Sequence, residues 1–331
     1  MSLEHLINAN IHRLKEGARV LEDIARFILK DDLLFKELRT LRHALLSSQP
    51  IKTPEMDLGG SSLKEKNART DLLNVIQANA LRMQEALRVL EESSPTTDQK
   101  QKIKSLRYDA YQLHQKIYQK MSYFLKKDKL KGLYLIIDPN IIGLPLKKII
   151  DTINKTEINL VQLRNKKLNK KEFIEDALLF KKLLNPNTLF IINDHVDVAL
   201  DIADGVHLGL EDYPVERVRA IAPTDFLIGA TCHNVKEAKK AELQGASYLS
   251  IGCLFPTLSK KDTTPTSLSE LKKIREQSSL PISCIGGIDL KNITKVLPCN
   301  TEMIALISSV WKTKNPEKTI NKLQKIILKH T

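Results

Sequence analysis

The tripeptide-spaced set Gln162, Arg164 and Lys166, in VQLRNK, places an amide and two cations on alternate residues at the end of an apolar run. Asn193-Asp194 and Asp212 add two carboxylates, each just past a similar run. Thr231 and His233 follow another, and the stretch CLFPTLSKKDTTPT holds Thr257, Ser259 and a third cation, Lys260. Gly286-Gly287 and Ile307-Ser308 close the series. Three cations, two carboxylates and glycine-rich turns suit a phosphorylated substrate with magnesium. Hard Mg2+ takes one or two protein carboxylates and completes its shell with phosphate oxygens and water. Glycine lets backbone N–H groups approach an anion closely. Taken singly, each feature has a plainer reading. Asn193-Asp194 suits a helix N-cap, Lys260-Lys261 a solvated loop, Gly286-Gly287 a simple turn, and His233 a capping or positioning role.

Joint placement decides between these readings, and it depends on the elements. Eight strand-like runs occur at 132–138, 158–164, 188–194, 204–209, 225–231, 247–252, 281–287 and 302–308. Helical patterns occupy 145–155, 170–184, 195–202, 214–221, 234–244, 267–277, 289–297 and 309–329. Continuous Val/Ile/Leu strands alternating with helices mean a parallel sheet under helices. Eight units point to a (β/α)8 TIM barrel, whose functional residues sit at the C-terminal strand ends, where all the residues named above lie. An open doubly wound sheet would normally carry G-x-G-x-x-G after its first strand, and here that strand runs into Asp138-Pro139-Asn140.

Residues 1–124 read differently, as an all-α domain, with 125–131 as linker and 132–331 as the barrel domain. They carry an internal repeat: ANIHRLKEGARVLED at 9–23 and ANALRMQEALRVLEE at 78–92 share eight of fifteen positions. On a helical wheel Leu14, Leu21, Ile24 and Ile28 share a face with Asn10, Arg13 and Gly17. Val75, Ala86, Val89 and Leu90 share one with Asn79 and Arg82. Polar groups on an apolar face need partners. Either they pair with acids such as Glu16, Glu22, Glu85 and Glu91, in a salt-bridged structural bundle, or they line an anion pocket. Arg42-His43, Asp57-Leu58-Gly59-Gly60 and Arg69 are further polar candidates between the copies.

The chain has 331 residues, enough for two domains, and ordinary globular composition, with 42 % hydrophobic and 27 % charged residues. Its net charge is +13, and residues 99–131 carry ten Lys/Arg against two acids. This stretch reads as a solvated helix leading into the linker. RNA binding there is the alternative, but no RNA-recognition or zinc-finger pattern accompanies it. The expectation is no nucleic-acid partner. Apolar runs fall far short of the roughly 18–20 residues a membrane helix needs. No basic segment followed by an apolar stretch opens the chain. Cys232, Cys253, Cys284 and Cys299 show no C-x-x-C spacing. The expectation is a cytoplasmic protein with reduced thiols and no membrane partner.

Over nearly all of 130–325 the sequence resembles thiamine-phosphate synthase, through VQLRNK, FIINDHVDVAL, ADGVHLGLED, IGATCHNVKEAKKAELQGASYLSIG, FPTLSKKDT, IGGI and ALIS. The resemblance implies coupling of 4-amino-5-hydroxymethyl-2-methylpyrimidine diphosphate with a thiazole phosphate, with loss of diphosphate. It implies that Gln162, Arg164, Lys166, Asn193, Thr231 and Lys260 hold the pyrimidine diphosphate, and that Asp194 and Asp212 bind Mg2+. Thr257, Leu258, Ser259, Gly287, Ile307 and Ser308 would hold the thiazole phosphate. Ser259 stands where Thr is usual and Cys253 where Pro is common. A thiazole tautomerase on the same barrel, with His233 as proton shuttle, is the nearest rival.

Residues 3–120 resemble the second type of hydroxymethylpyrimidine phosphate kinase, through NANIHRLKEGARVLEDIARF, LRHAL, DLGG and NALRMQEALRVLEE. That implies ATP as co-substrate and pyrimidine monophosphate as acceptor. No G-x-x-x-x-G-K-[ST] loop is present, so phosphate binding falls to Arg side chains and helix ends, with Asn10, Arg13, Asn79 and Arg82 as candidates. A helical dimerisation or docking module is the alternative for this half. The partners expected are small phosphorylated pyrimidine and thiazole substrates, with room for a homo-oligomer.

Overall fold

The computed structural model describes residues 3–44, 71–257 and 265–330. The chain divides into two compact units, Met1–Phe124 and Leu125–Thr331.

The described part of the first unit is helical. It comprises α1 (Leu3–Asp23), a π-helical turn (Ile24–Ile28), α2 (Asp32–His43), α3 (Leu72–Glu92) and α4 (Thr97–Asp128). Asp31 and Asp71 cap α2 and α3 by accepting from the N–H groups of Leu34 and Asn74. α1 and α3 hold the two repeat copies and pack on one another. A Cβ on Gly17 would stand 2.7 Å from the Asn79 carbonyl oxygen, so glycine sets this close approach. Leu14, Leu21, Ile24, Ala86 and Leu90 are buried as the wheel predicts, whereas Ile28, Val75 and Val89 are half-buried.

The repeat also governs the ion pairs. Glu22, fully buried, takes the Arg42 guanidinium; Glu91, 69 residues on, takes that of Arg107 at 2.7 Å. Arg19 and Arg88 approach the same two carboxylates from the preceding turn. Asn10 and Asn79 are both buried and each donates to the carbonyl four residues back, Leu6 and Val75, at 2.8 Å. Along α4, Lys100, Lys116 and Lys120 pair with Glu92, Glu37 and Asp31. Much of this stretch's charge is therefore neutralised internally. α4 stays helical through Asp128, into the segment read from sequence as linker, because no helix breaker precedes Gly132 (φ +83°).

The second unit is a closed parallel barrel, β1-β2-β3-β4-β5-β6-β7-β8 in spatial order. The strands are β1 (Gly132–Ile137), β2 (Leu160–Leu163), β3 (Leu189–Asn193), β4 (Gly205–Leu208), β5 (Leu227–Cys232), β6 (Tyr248–Ile251), β7 (Ile282–Ile285) and β8 (Met303–Leu306). Around it run α5 (Pro139–Ile142), α6 (Leu146–Asn154), α7 (Lys170–Leu183), α8 (Val196–Ile202), α9 (Val215–Ile221), α10 (Val235–Leu243), α11 (Leu268–Gln277), α12 (Ile293–Val296), α13 (Ser308–Trp311) and α14 (Pro316–Leu328). The helix expected over 309–329 is two helices, because Asn315 caps a new start with Pro316 at its first position. α5 was not anticipated; Asp138 caps it and Pro139 opens it.

Alternation along the strands sorts the side chains. Leu133, Leu135, Val161, Phe190 and Ile228 point outward into the apolar layer under the helices. The barrel interior mixes apolar side chains such as Ile136, Leu160, Ile191 and Leu227 with a hydrogen-bonded polar chain. Gln162 Nε2 donates to Tyr134 Oη at 2.5 Å, and the Tyr134 and Tyr248 hydroxyls lie 2.8 Å apart. His207 contacts Tyr248 Oη through Nδ1 at 3.2 Å and Thr231 Oγ1 through Nε2 at 3.0 Å. Gly229 makes room for this chain, since a Cβ there would collide with the Tyr248 ring and His207.

Candidate active site

At the C-terminal ends of the strands lies a cavity of about 730 Å³. Gln162, Arg164, Lys166, Asn193, Asp194, Asp212, Thr231, Thr257, Gly287, Ile307 and Ser308 all line it. Residues 141 to 145 positions apart in sequence, such as Gln162 to Lys166 against Ile307, thus share one mouth. Leu258, Ser259 and Lys260 lie outside the described residues.

On one side Arg164 leaves the end of β2, its own N–H donating to the Ile137 carbonyl at 2.8 Å. Its guanidinium donates to Asp138 Oδ2 at 2.5 Å. Asp138 is almost wholly buried and also accepts from Asn140 N at 3.2 Å, so it holds Arg164 against a fixed post. Lys166 Nζ stands 3.1 Å from Asp194 Oδ2. Asp194 has φ +63°, a left-handed backbone that Asp and Asn adopt more readily than other side chains, and its N–H is tied to the His207 carbonyl at 3.0 Å. Asp212 receives the Gly209 N–H at 2.6 Å. Burial, and then the adjoining Asp194 carboxyl, raises Asp212 above the ordinary carboxylate range.

The other side is backbone. Gly286 (φ +105°) and Gly287 (φ +60°) form a left-handed turn after β7. A Cβ on Gly287 would lie 2.5 Å from the Pro256 carbonyl oxygen and 2.7 Å from that of Phe255. Leu254 N donates to Ile285 O and Phe255 N to Gly286 O, both at 3.0 Å, which seats the segment leading to Thr257 on this turn. Asn292 Nδ2 donates to Gly287 O at 2.8 Å and fixes the turn from below. His233, just ahead of α10, contacts Glu237 of that helix through both N (2.8 Å) and Nδ1 (3.1 Å), a capping arrangement.

Three contributors escaped the sequence reading. Asp138 ends the first strand-like run, and the register Ile137↔Leu163 sets it beside Arg164. His207 was unremarkable within a strand, yet it lines the cavity and braces Thr231. Lys312 lines the cavity beyond Ser308, in a segment that read as continuous helix.

In the first unit, Asn10, Arg13 and Arg82 line a groove of about 480 Å³ between α1 and α3. Asn79 does not line it; it is buried in the helix pair.

Residues 133–310 match the family described as thiamine monophosphate synthase, and residues 5–116 match the ThiD2 family. The chain belongs to the thiamine-phosphate synthase family. It is 32 % identical to a thiamine-phosphate synthase of Synechococcus sp., over 96 % of this chain and 94 % of that one. It is 33 % identical to one of Gloeobacter violaceus, over 95 % and 94 % respectively. A solved structure of thiamine phosphate pyrophosphorylase from Pyrococcus furiosus superposes with a TM-score of 0.56 at 34 % identity, covering 62 % of this chain and 98 % of its own. The barrel is thus a thiamine-phosphate synthase domain, preceded by a unit of a pyrimidine phosphate kinase family.

Asp194 and Asp212 are the carboxylates at the mouth that could hold a hard cation. Asp194 stands near enough to Asp212 to push its carboxyl up, and such neighbouring carboxylates favour a proton or a cation between them. Among the described residues no group of three or more His, Cys, Asp or Glu is placed to hold a metal. A hard cation here would therefore complete its shell with substrate phosphate and water, as Mg2+ commonly does. No described helix is long and apolar enough to cross a membrane.

Proposed function

We propose that the cavity couples the aminopyrimidine diphosphate to a thiazole phosphate, and that the helical unit makes this diphosphate from the monophosphate and ATP. The convergence of Arg164, Lys166, Asp194 and Asp212 with the Gly286-Gly287 turn on one mouth carries the reading. Gln162, Arg164, Lys166, Asn193 and Thr231, with Lys260, hold the pyrimidine diphosphate. Asp194 and Asp212 hold Mg2+. Thr257, Gly287, Ile307 and Ser308, with Leu258 and Ser259, hold the thiazole phosphate.

In the reaction the C–O bond between the pyrimidine methylene and the diphosphate breaks, and its electron pair leaves with the diphosphate. The thiazole nitrogen lone pair then forms the new C–N bond. No protein nucleophile is needed. Arg164 and Lys166, on the cavity wall, would face the oxygen on which charge accumulates, where fixed cations stabilise the transition state most. Magnesium, when bound, supplies further positive charge beside the departing group. Asp138 keeps Arg164 aimed without reorganisation. The Gln162–Tyr134–Tyr248–His207–Thr231 chain keeps the amide and hydroxyl at the cavity floor in fixed rotamers. Phosphorylated intermediates on both sides of the step suit a cytoplasmic enzyme.

The test is mass spectrometry of the purified chain with pyrimidine diphosphate, thiazole phosphate and Mg2+. Thiamine phosphate and diphosphate should form, and chelation should stop them. Asp194→Asn should lower the rate by about 10²–10³-fold, as removal of one transition-state charge partner does. No product from the wild-type chain would overturn the synthase reading. No ADP from pyrimidine monophosphate and ATP would overturn the kinase reading.

A further inference from the structure

The repeat poses a choice that its ion pairs decide. Glu22 and Glu91, the buried acids of the two copies, are satisfied by Arg42 and Arg107 and flanked by Arg19 and Arg88. Arg13 and Arg82, which occupy equivalent positions in the copies, take no part. Neither has an ion-pair or hydrogen-bond partner among the described residues, and both line the groove between α1 and α3. Two guanidinium groups on one groove with no protein carboxylate bound to them leave their charge available to an external anion.

The rest of the groove restricts what that anion carries. Leu81 and Val89 give it apolar walls. Asn10 uses an amide hydrogen on Leu6 O, which leaves its Oδ1 as an acceptor, and Glu85 is a second acceptor. Cations for a phosphate, aliphatic walls and acceptors for an exocyclic amine together fit a phosphorylated aminopyrimidine. The volume, about 480 Å³, lies within the range of small-molecule sites.

Resting on the kinase reading above, we infer that this groove is the acceptor site of the helical unit, with Arg13 and Arg82 clamping the phosphate of the pyrimidine monophosphate. In the transfer an oxygen of that phosphate attacks the γ-phosphorus of ATP. The bond from γ-phosphorus to the β,γ-bridging oxygen breaks, and ADP leaves with the electron pair. Two anions must meet for this, and the paired guanidiniums neutralise the acceptor so that they can. This supplies, from side chains, what a glycine-rich phosphate loop supplies elsewhere.

The experiment uses the full chain and reads ADP formation against pyrimidine monophosphate concentration. Arg13→Gln and Arg82→Gln should each raise KM for the monophosphate at least about tenfold, and about a hundredfold together, the loss expected for charge-assisted bonds. Arg19→Gln, outside the groove, should leave it unchanged. Wild-type KM in both groove variants overturns the site while the kinase reading stands. If the wild-type chain releases no ADP, the kinase reading fails, and direct titration with pyrimidine monophosphate decides the site alone: binding lost in the double variant upholds it, equal binding overturns it. A measurement that needs no variant is modification of the wild-type chain by an arginine-selective dicarbonyl, mapped by peptide mass. The monophosphate should protect Arg13 and Arg82 but not Arg19, and unprotected Arg13 and Arg82 overturn the site.

Discussion

Asp138→Asn isolates the charge that aims Arg164. The substitution keeps shape and removes one negative charge from a nearly fully buried position. Asp138 now accepts from Arg164 Nη1 with one oxygen and from Asn140 N with the other. An asparagine has one oxygen for these two donors, so its NH2 must face an N–H whichever way it turns. The lost charge-assisted bond is worth about 1.5–3 kcal/mol. Arg164 is only 18 % exposed at its side chain, so water replaces the bond poorly. For a barrel of this size each kcal/mol moves the midpoint by about 2–4 °C, so unfolding should fall by about 3–12 °C. Trp311 is the single tryptophan of the chain and is buried in the barrel, so its fluorescence reports that unit. An Arg164 free to leave the mouth should also raise KM for the pyrimidine diphosphate about tenfold, the equivalent of about 1.4 kcal/mol, and leave KM for the thiazole phosphate unchanged. Lower stability with an unchanged pyrimidine KM would refute the aiming role and leave Asp138 as a brace between β1 and β2.

Gly287→Ala places a Cβ against the Phe255 and Pro256 carbonyls at φ +60° and costs about 1–2 kcal/mol for the left-handed backbone alone; steady-state kinetics should show KM for the thiazole phosphate rising more than KM for the pyrimidine diphosphate. Burial pushes the Cys232 and Cys284 thiols up to about 12. Thiolate is then scarce at every pH below that, and a disulfide reagent at pH 8 should label neither in the folded chain and both after denaturation. Burial pushes Glu91 up, but hydrogen bonding and charge from Arg107 and then Arg88 outweigh it and hold the carboxyl below its usual range. Because the folded form binds its proton less readily than the unfolded one, this stabilisation is present above the unfolded value and lost as pH falls through the folded one. Glu91→Gln should therefore flatten the acid limb of the helical unit's unfolding curve, measured by circular dichroism.

The barrel was legible because its signals are local. Most strands are short apolar runs, and several following helices, such as those capped by Asn169, Asn234 and Ser267, start at a polar residue, so element order alone implies which ends converge. Gln162, Arg164 and Lys166 could be placed from their position at a strand end, without knowing the register. Asp138 could not, since its importance comes from the β1–β2 pairing that sets it beside Arg164. The polar chain of the interior was hidden for a similar reason. Tyr134 and Tyr248 read as ordinary strand aromatics, and only closure of the barrel brings their hydroxyls to 2.8 Å across the interior. Asn315-Pro316 was a visible helix start that strong flanking periodicity overrode.

The helical unit shows the opposite balance. Its repeat was evident from fifteen residues, and the wheel put Asn10, Arg13, Asn79 and Arg82 near the apolar faces, but the wheel could not say what they meet. The answer separates amides from cations. Asn10 and Asn79 are satisfied within their own helices by the carbonyl one turn back. Glu22 and Glu91 find Arg42 and Arg107, which lie 20 and 16 residues away, at spacings that do not follow the repeat offset and so leave no trace in its alignment. Once those acids are matched, Arg13 and Arg82 are the repeat's arginines left over, alongside the acids Glu16 and Glu85, which also take no ion pair among the described residues. The two arginines that line the groove make no ion pair that would hold the helices together, so the ligand proposed for the groove is the explanation we offer for them.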